Sequence, residues 1–136
     1  MGLAERRALK EFQDSSFPEL QRKIVEAAGF DIELEIEWDS VAEDGYSHMY
    51  SENLPKVYFE PLIEALGQIT ADDMGKDALK EGLEKIVICN REGIYYGDRC
   101  TKLDGKTMTI DHQPNSNVGS SGDRVKGIVE ALEANL

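Results

Sequence analysis

Between Asp31 and Asp39 the chain alternates acid and apolar residues without a break, Asp-Ile-Glu-Leu-Glu-Ile-Glu-Trp-Asp. A period of two is the signature of a strand. The pattern therefore predicts a strand over 31–39, with Ile32, Leu34, Ile36 and Trp38 on one face and Asp31, Glu33, Glu35, Glu37 and Asp39 on the other. Upstream the period lengthens. Leu9 and Phe12, set against Arg6, Arg7 and Lys10, predict a helix over 3–13. Ser16-Phe17-Pro18-Glu19 has the form of a capping box with proline in the first turn. Leu20, Ile24, Val25 and Ala28 then define the apolar side of a second helix that closes at Gly29.

Residues 40–54 show neither period and read as a long loop that mixes Tyr46, His48, Met49 and Tyr50 with acids. Pro55 and Pro61 bracket Lys56–Phe59. The residue before a proline avoids helical angles, so 56–59 is expected to be extended and 61–69 helical. Thr70-Ala71-Asp72-Asp73 offers a helix start with acids in the first turn, and Leu79 and Leu83 carry that helix to about residue 84.

Ile86-Val87-Ile88-Cys89 is apolar on both faces, as a central strand would be. Asp104-Gly105 signals a two-residue hairpin between 99–103 and 106–111, with Leu103 facing Lys106 and Thr101 facing Met108. With Ile94-Tyr95-Tyr96 as a further extended piece, 85–112 reads as a three-stranded meander. A polar connector over 113–122 leads to a last helix, about 123–134, in which Val125, Ile128, Val129 and Leu132 form one stripe. The fold class expected is α+β in a single domain over 1–136: an antiparallel sheet of four or five strands with helices packed mainly on one face.

Charge changes this picture from a scaffold into a polarised object. Residues 26–73 hold thirteen acids and a single base, Lys56, whereas the rest of the chain balances fourteen acids with fourteen bases, so the whole net charge of −12 is local. On a strand, same-face carboxylates stand about 7 Å apart and repel by roughly 0.6 kcal/mol in water. Drying even one of them would cost more, so the acid face must be wet or paired. A strongly acidic chain disfavours nucleic acid and anionic membranes as partners, because both are bound by Lys and Arg. The charged opening residues lack the apolar core of a secretory signal, and a cytoplasmic location is expected.

The candidate chemistry follows from these surfaces. The row Glu33, Glu35, Glu37 and Asp39, together with Tyr46, His48 and Tyr50 of the loop, is the expected site for a basic protein partner, as in an inhibitor or immunity protein. The plainer alternative is that the acids only keep an outward strand soluble. Asp98, Asp111 and His112 form the competing candidate, a hydrolase or transferase site in the meander. A Cys100–His112 nucleophile and base is disfavoured because the hairpin puts the two on opposite faces. Cys89 and Cys100 lack metal or disulfide spacing and are expected as buried thiols, and the two histidines are too far apart in sequence for a helical metal pair. No cofactor is expected. Gly119-Ser120-Ser121-Gly122-Asp123, ahead of the last helix, reads as a flexible connector with a cap rather than a phosphate loop.

Overall fold

The two most apolar segments, Lys85–Cys89 (β2) and Thr107–Asp111 (β4), lie next to each other at the centre of a four-stranded sheet. The two segments that alternate charge with apolar residues, Glu33–Ile36 (β1) and Thr101–Asp104 (β3), take its edges, giving the order β1-β2-β4-β3. Charged alternation is a common way to protect a free edge, whereas central strands need apolar side chains on both faces. This computed structural model describes residues 1–136.

The sheet is mixed, which corrects the antiparallel expectation. β1 runs parallel to β2 and β2 parallel to β4; only β3–β4 is antiparallel. A meander would have placed β3 beside β2, but β3 stays outside and its hairpin partner β4 takes the central place. The hairpin itself forms, with one change. Its turn is Gly105-Lys106, with Gly105 at φ 61°, the first-position glycine of a type II′ turn, so Leu103 faces Met108 and Thr101 faces Ile110. The expected register had each of these one pair nearer the turn, but the side chains keep the same faces. Residues 94–96 form no strand.

Leu34, Ile36, Ile86, Ile88, Met108 and Ile110 point to one face of the sheet, where the helices bury them. The helices are Leu3–Ser15 (α1), Phe17–Ala28 (α2), Trp38–Val41 (α3), Tyr50–Leu54 (α4), Glu60–Ile69 (α5), Asp73–Gly82 (α6) and Ser121–Asn135 (α7). The other face carries Glu33, Glu35, Lys85, Thr107, Thr109, Lys102 and Asp104. No helix of the structure is long and apolar enough to cross a membrane.

Two local expectations fail for identifiable reasons, and a third, the helix start at 70–73, resolves to a single residue. The predicted strand 31–39 is cut to 33–36 because Trp38 turns into α3 and packs edge-on against Phe17 at 4.9 Å and Phe12 at 6.0 Å. Ser16 sits at helical angles and makes no capping bond; Glu19 binds Arg22 instead, while Gly29 closes α2 at φ 83° as expected. The helix after Thr70 is capped by Asp72, which accepts from the Gly75 amide at 2.8 Å.

The largest departure is at 50–69, where no extended segment exists. α4, a π-helical stretch over Pro55–Phe59 and α5 run on as one rod. Both residues preceding proline hold helical angles, Leu54 at −60°, −46° and Glu60 at −63°, −46°. Burial of Val57, Tyr58 and Phe59 outweighs the local preference. The π geometry accommodates Pro61: the Glu60 amide donates to Pro55, five residues back, and the Lys56 carbonyl, which would look to the missing amide of Pro61, is left without a helical donor.

Candidate functional site

Parallel pairing of β1 with β2 decides what happens to the acid row. It sets Glu33 opposite Lys85, and the Lys85 ammonium reaches both Glu33 at 3.6 Å and Glu35 at 3.4 Å. It also brings the ends of the two strands together, so that Arg91, just past β2, meets Glu37, just past β1. The Arg91 Nε donates to both Glu37 oxygens at 3.1 and 3.0 Å, and Nη2 closes the fork. The hydrogen bonds from Arg91 hold the Glu37 carboxyl below its ordinary pKa, and the same bonds raise that of the guanidinium.

The five acids of the expected face are therefore neither unscreened nor cancelled. Two cations, Lys85 and Arg91, serve three of them, while Asp31 and Asp39 form no ion pair, which leaves three negative charges on the row. Glu33 and Glu35 remain largely exposed beside their shared lysine. Asp39 leaves the strand with α3 and looks into a cleft of about 710 Å³ under α1, lined also by Glu43, Asp44, Arg6 and Lys10.

The loop residues separate. Tyr46 is exposed and His48 lies in a second, smaller groove against Ala8, Phe12 and Ser15 of α1. Tyr50 is a correction: it is 2 % exposed, packed in the core, and its hydroxyl donates to the Glu43 carbonyl at 2.8 Å. Burial, with Glu5 and Asp44 nearby, pushes its pKa up to about 12. It serves to tie down residues 43–50, not to touch a partner. Those residues are also no open loop, since Ser47–Met49 forms a 3₁₀ turn leading into α4.

Asp98, Asp111 and His112 are not brought to one place. Asp98 lines a cleft of about 480 Å³ with Tyr95, Tyr96, Asn117 and the first turns of α7. Asp111 accepts the Arg91 amide at 2.8 Å, a turn-closing duty. His112 is fully buried: its Nδ1 lies 2.6 Å from the Gln113 carbonyl, its own carbonyl accepts from the Tyr58 hydroxyl, and Nε2 has no partner. Burial, with Arg124 nearby, holds its pKa below 6.5. Both cysteines are free and buried, and burial pushes the Cys89 thiol up to about 11 and Cys100 in the same direction. Thiols held protonated are poor nucleophiles.

Two arrangements are not among the sequence-based expectations: the pairing of the Tyr95 and Tyr96 rings, which the pattern places only in an extended piece, and the burial of Arg124. The adjacent rings of Tyr95 and Tyr96 lie 4.4 Å apart on the surface, with Arg99 stacked 5.3 Å from the second. Arg124 is 1 % exposed and donates to the carbonyls of Asn117 at 2.7 Å, Val118 at 2.7 Å and Lys56 at 3.2 Å, the last being the carbonyl that Pro61 orphans. Its position was readable: Arg124, Ile128 and Leu132 stand four apart on the buried stripe of α7. Comparison with known protein families, curated proteins and solved structures gives no match for this chain.

Proposed function

We propose that this protein is a non-enzymatic binding protein that engages a basic protein through the β1 side of its sheet, in the manner of an inhibitor or immunity protein. The observation that carries the reading is the charge imbalance along β1: Glu33, Glu35 and Glu37 share two cations, Lys85 and Arg91, and the exposed Asp31 at the start of the row forms no ion pair. Glu33, Glu35, Glu37 and Asp39 supply the potential, while Tyr46 and His48, exposed beyond Asp44, are the rim that a docked partner would reach. A field of this kind accelerates encounter with a cationic partner and rejects acidic ones. Lys85 bridges Glu33 and Glu35 and Arg91 holds Glu37, which relieves the repulsion among the three carboxylates while leaving the row net negative for a partner's cations.

The test is charge reversal. Glu33→Lys, Glu35→Lys and Glu37→Lys together should abolish capture of the partner from the native cell while leaving the circular dichroism spectrum unchanged. Capture that survives the three reversals removes the proposal.

A further inference from the structure

The free edge of β1 gives the binding mode a definite form. Glu33 donates its amide to Glu84 at 3.3 Å and Glu37 to Ile88 at 2.9 Å, so the odd-numbered residues of this strand turn their main chain toward β2. Main-chain groups alternate sides along a strand. The amides and carbonyls of Leu34 and Ile36 therefore point away from the sheet, β1 is its terminal strand, and neither residue's amide finds a main-chain partner elsewhere in the chain. An unpaired edge of this kind is a template for another strand.

What can pair there is decided by the two faces of β1. A strand laid beside it places alternate side chains about 5 Å from Glu33 and Glu35 on the wet face. Its remaining side chains fall next to Leu34 and Ile36, which are half-buried at the margin of the core. A second copy of β1 would set the same acids against Glu33 and Glu35 and is repelled. The charge that blocks self-pairing thus selects the opposite sign, the usual logic of discrimination by a repulsive element.

We infer that the partner adds an extended segment to the outer edge of β1, and that this segment alternates basic with apolar residues. The inference rests on the basic-partner reading above and adds main-chain pairing to it. Its test uses the full chain, isotopically labelled, and a capped synthetic peptide of about eight alternating lysines and valines, the length of an ordinary strand; the control has the same composition in two blocks. On saturation with the alternating peptide at low salt, hydrogen exchange at the Leu34 and Ile36 amides should slow by roughly tenfold or more, as pairing of an open edge requires. The block peptide should leave both unchanged.

Leu34→Pro provides the second arm. Its missing amide faces outward, so no ladder bond is lost and proline is tolerated at such a site, yet the peptide should no longer be held. Binding that leaves both exchange rates unchanged, and that disappears in Glu33→Gln/Glu35→Gln, overturns strand addition while the electrostatic reading stands. Absence of binding by the alternating peptide overturns strand addition as well, and the capture experiment then decides the wider reading separately.

Discussion

Arg91 and Arg124 both bind through their guanidinium groups, yet one sits half exposed on a carboxylate and the other is sealed among carbonyls. Around Arg91, charge is plentiful and water is close, so each ion pair contributes little to folding. Around Arg124 there is no carboxylate partner; the side chain instead joins α7, the connector at 117–118 and the π-helical stretch by donating to three carbonyls, of which only that of Asn117 also accepts a main-chain amide, from Ser120 at 2.9 Å. Close packing reinforces that junction. A Cβ added at Gly97 would stand 2.6 Å from the Arg124 amide, which leaves no space for any other residue there. The acid row is therefore expected to tolerate substitutions that the buried junction does not.

Arg124→Met breaks this contrast most severely. The Val118 and Lys56 carbonyls lose their side-chain donor at about 1–3 kcal/mol each before relaxation, while Asn117 keeps the Ser120 amide, so urea unfolding should report a loss of roughly 2 kcal/mol or more with an unchanged slope. A loss below about 1 kcal/mol would mean that water replaces the guanidinium and that the junction does not depend on it.

His112 sharpens the comparison through pH. The folded imidazole is held neutral by burial and by Arg124, against the opposing pull of the Gln113 carbonyl and Asp111. The unfolded chain takes up a proton near pH 6.5 that the folded chain refuses, so the stabilising contribution is complete above that pH and is lost as pH falls toward the depressed folded value. The urea midpoint should fall more between about pH 7.5 and pH 5.5 in the natural protein than in His112→Gln. Equal falls in the two would place the imidazole in water.

Glu37→Gln gives the smallest effect. Its pair with Arg91 is well formed but solvated, and the stability change should stay within about 1 kcal/mol. A larger loss would make the acid row part of the structural frame and weaken its assignment to binding.

The legible parts of the fold were those written in local periodicity. Glu33–Ile36, the hairpin around Gly105, the stripe of α7 and the closing Gly29 all announce themselves within a few residues. Strand order did not, because nothing near β2 says that its neighbours will be β1 and β4 instead of β3. Only the contrast between apolar centre and charged edge carries that information, and it is spread over eighty residues. The prolines misled for another reason: each permits a helix in its own first turn, and burial of Val57 to Phe59 supplied the stabilisation that local rules could not weigh.

The candidate surface was half legible in the same sense. Five acids with period two could be read directly, but their partners could not, since Lys85 and Arg91 reach Glu33, Glu35 and Glu37 only after parallel pairing brings the strands together. Tyr50 looked available because residues 40–54 lack a period; its burial follows from a 3₁₀ turn and a short helix too brief to leave one. Arg124 was passed over because charge alone suggested an outward position, even though its spacing to Ile128 and Leu132 pointed inward.

Affinity capture on the immobilised protein, run in parallel at low and high salt with the natural chain and the triple lysine variant, tests the electrostatic assignment most directly. A partner held by the β1 side should be retained by the natural chain at low salt, released as the screening length shrinks from about 10 Å at 0.1 M toward 3 Å at 1 M, and absent from the variant throughout. A partner that binds both proteins equally, or that stays bound at high salt, would contradict it.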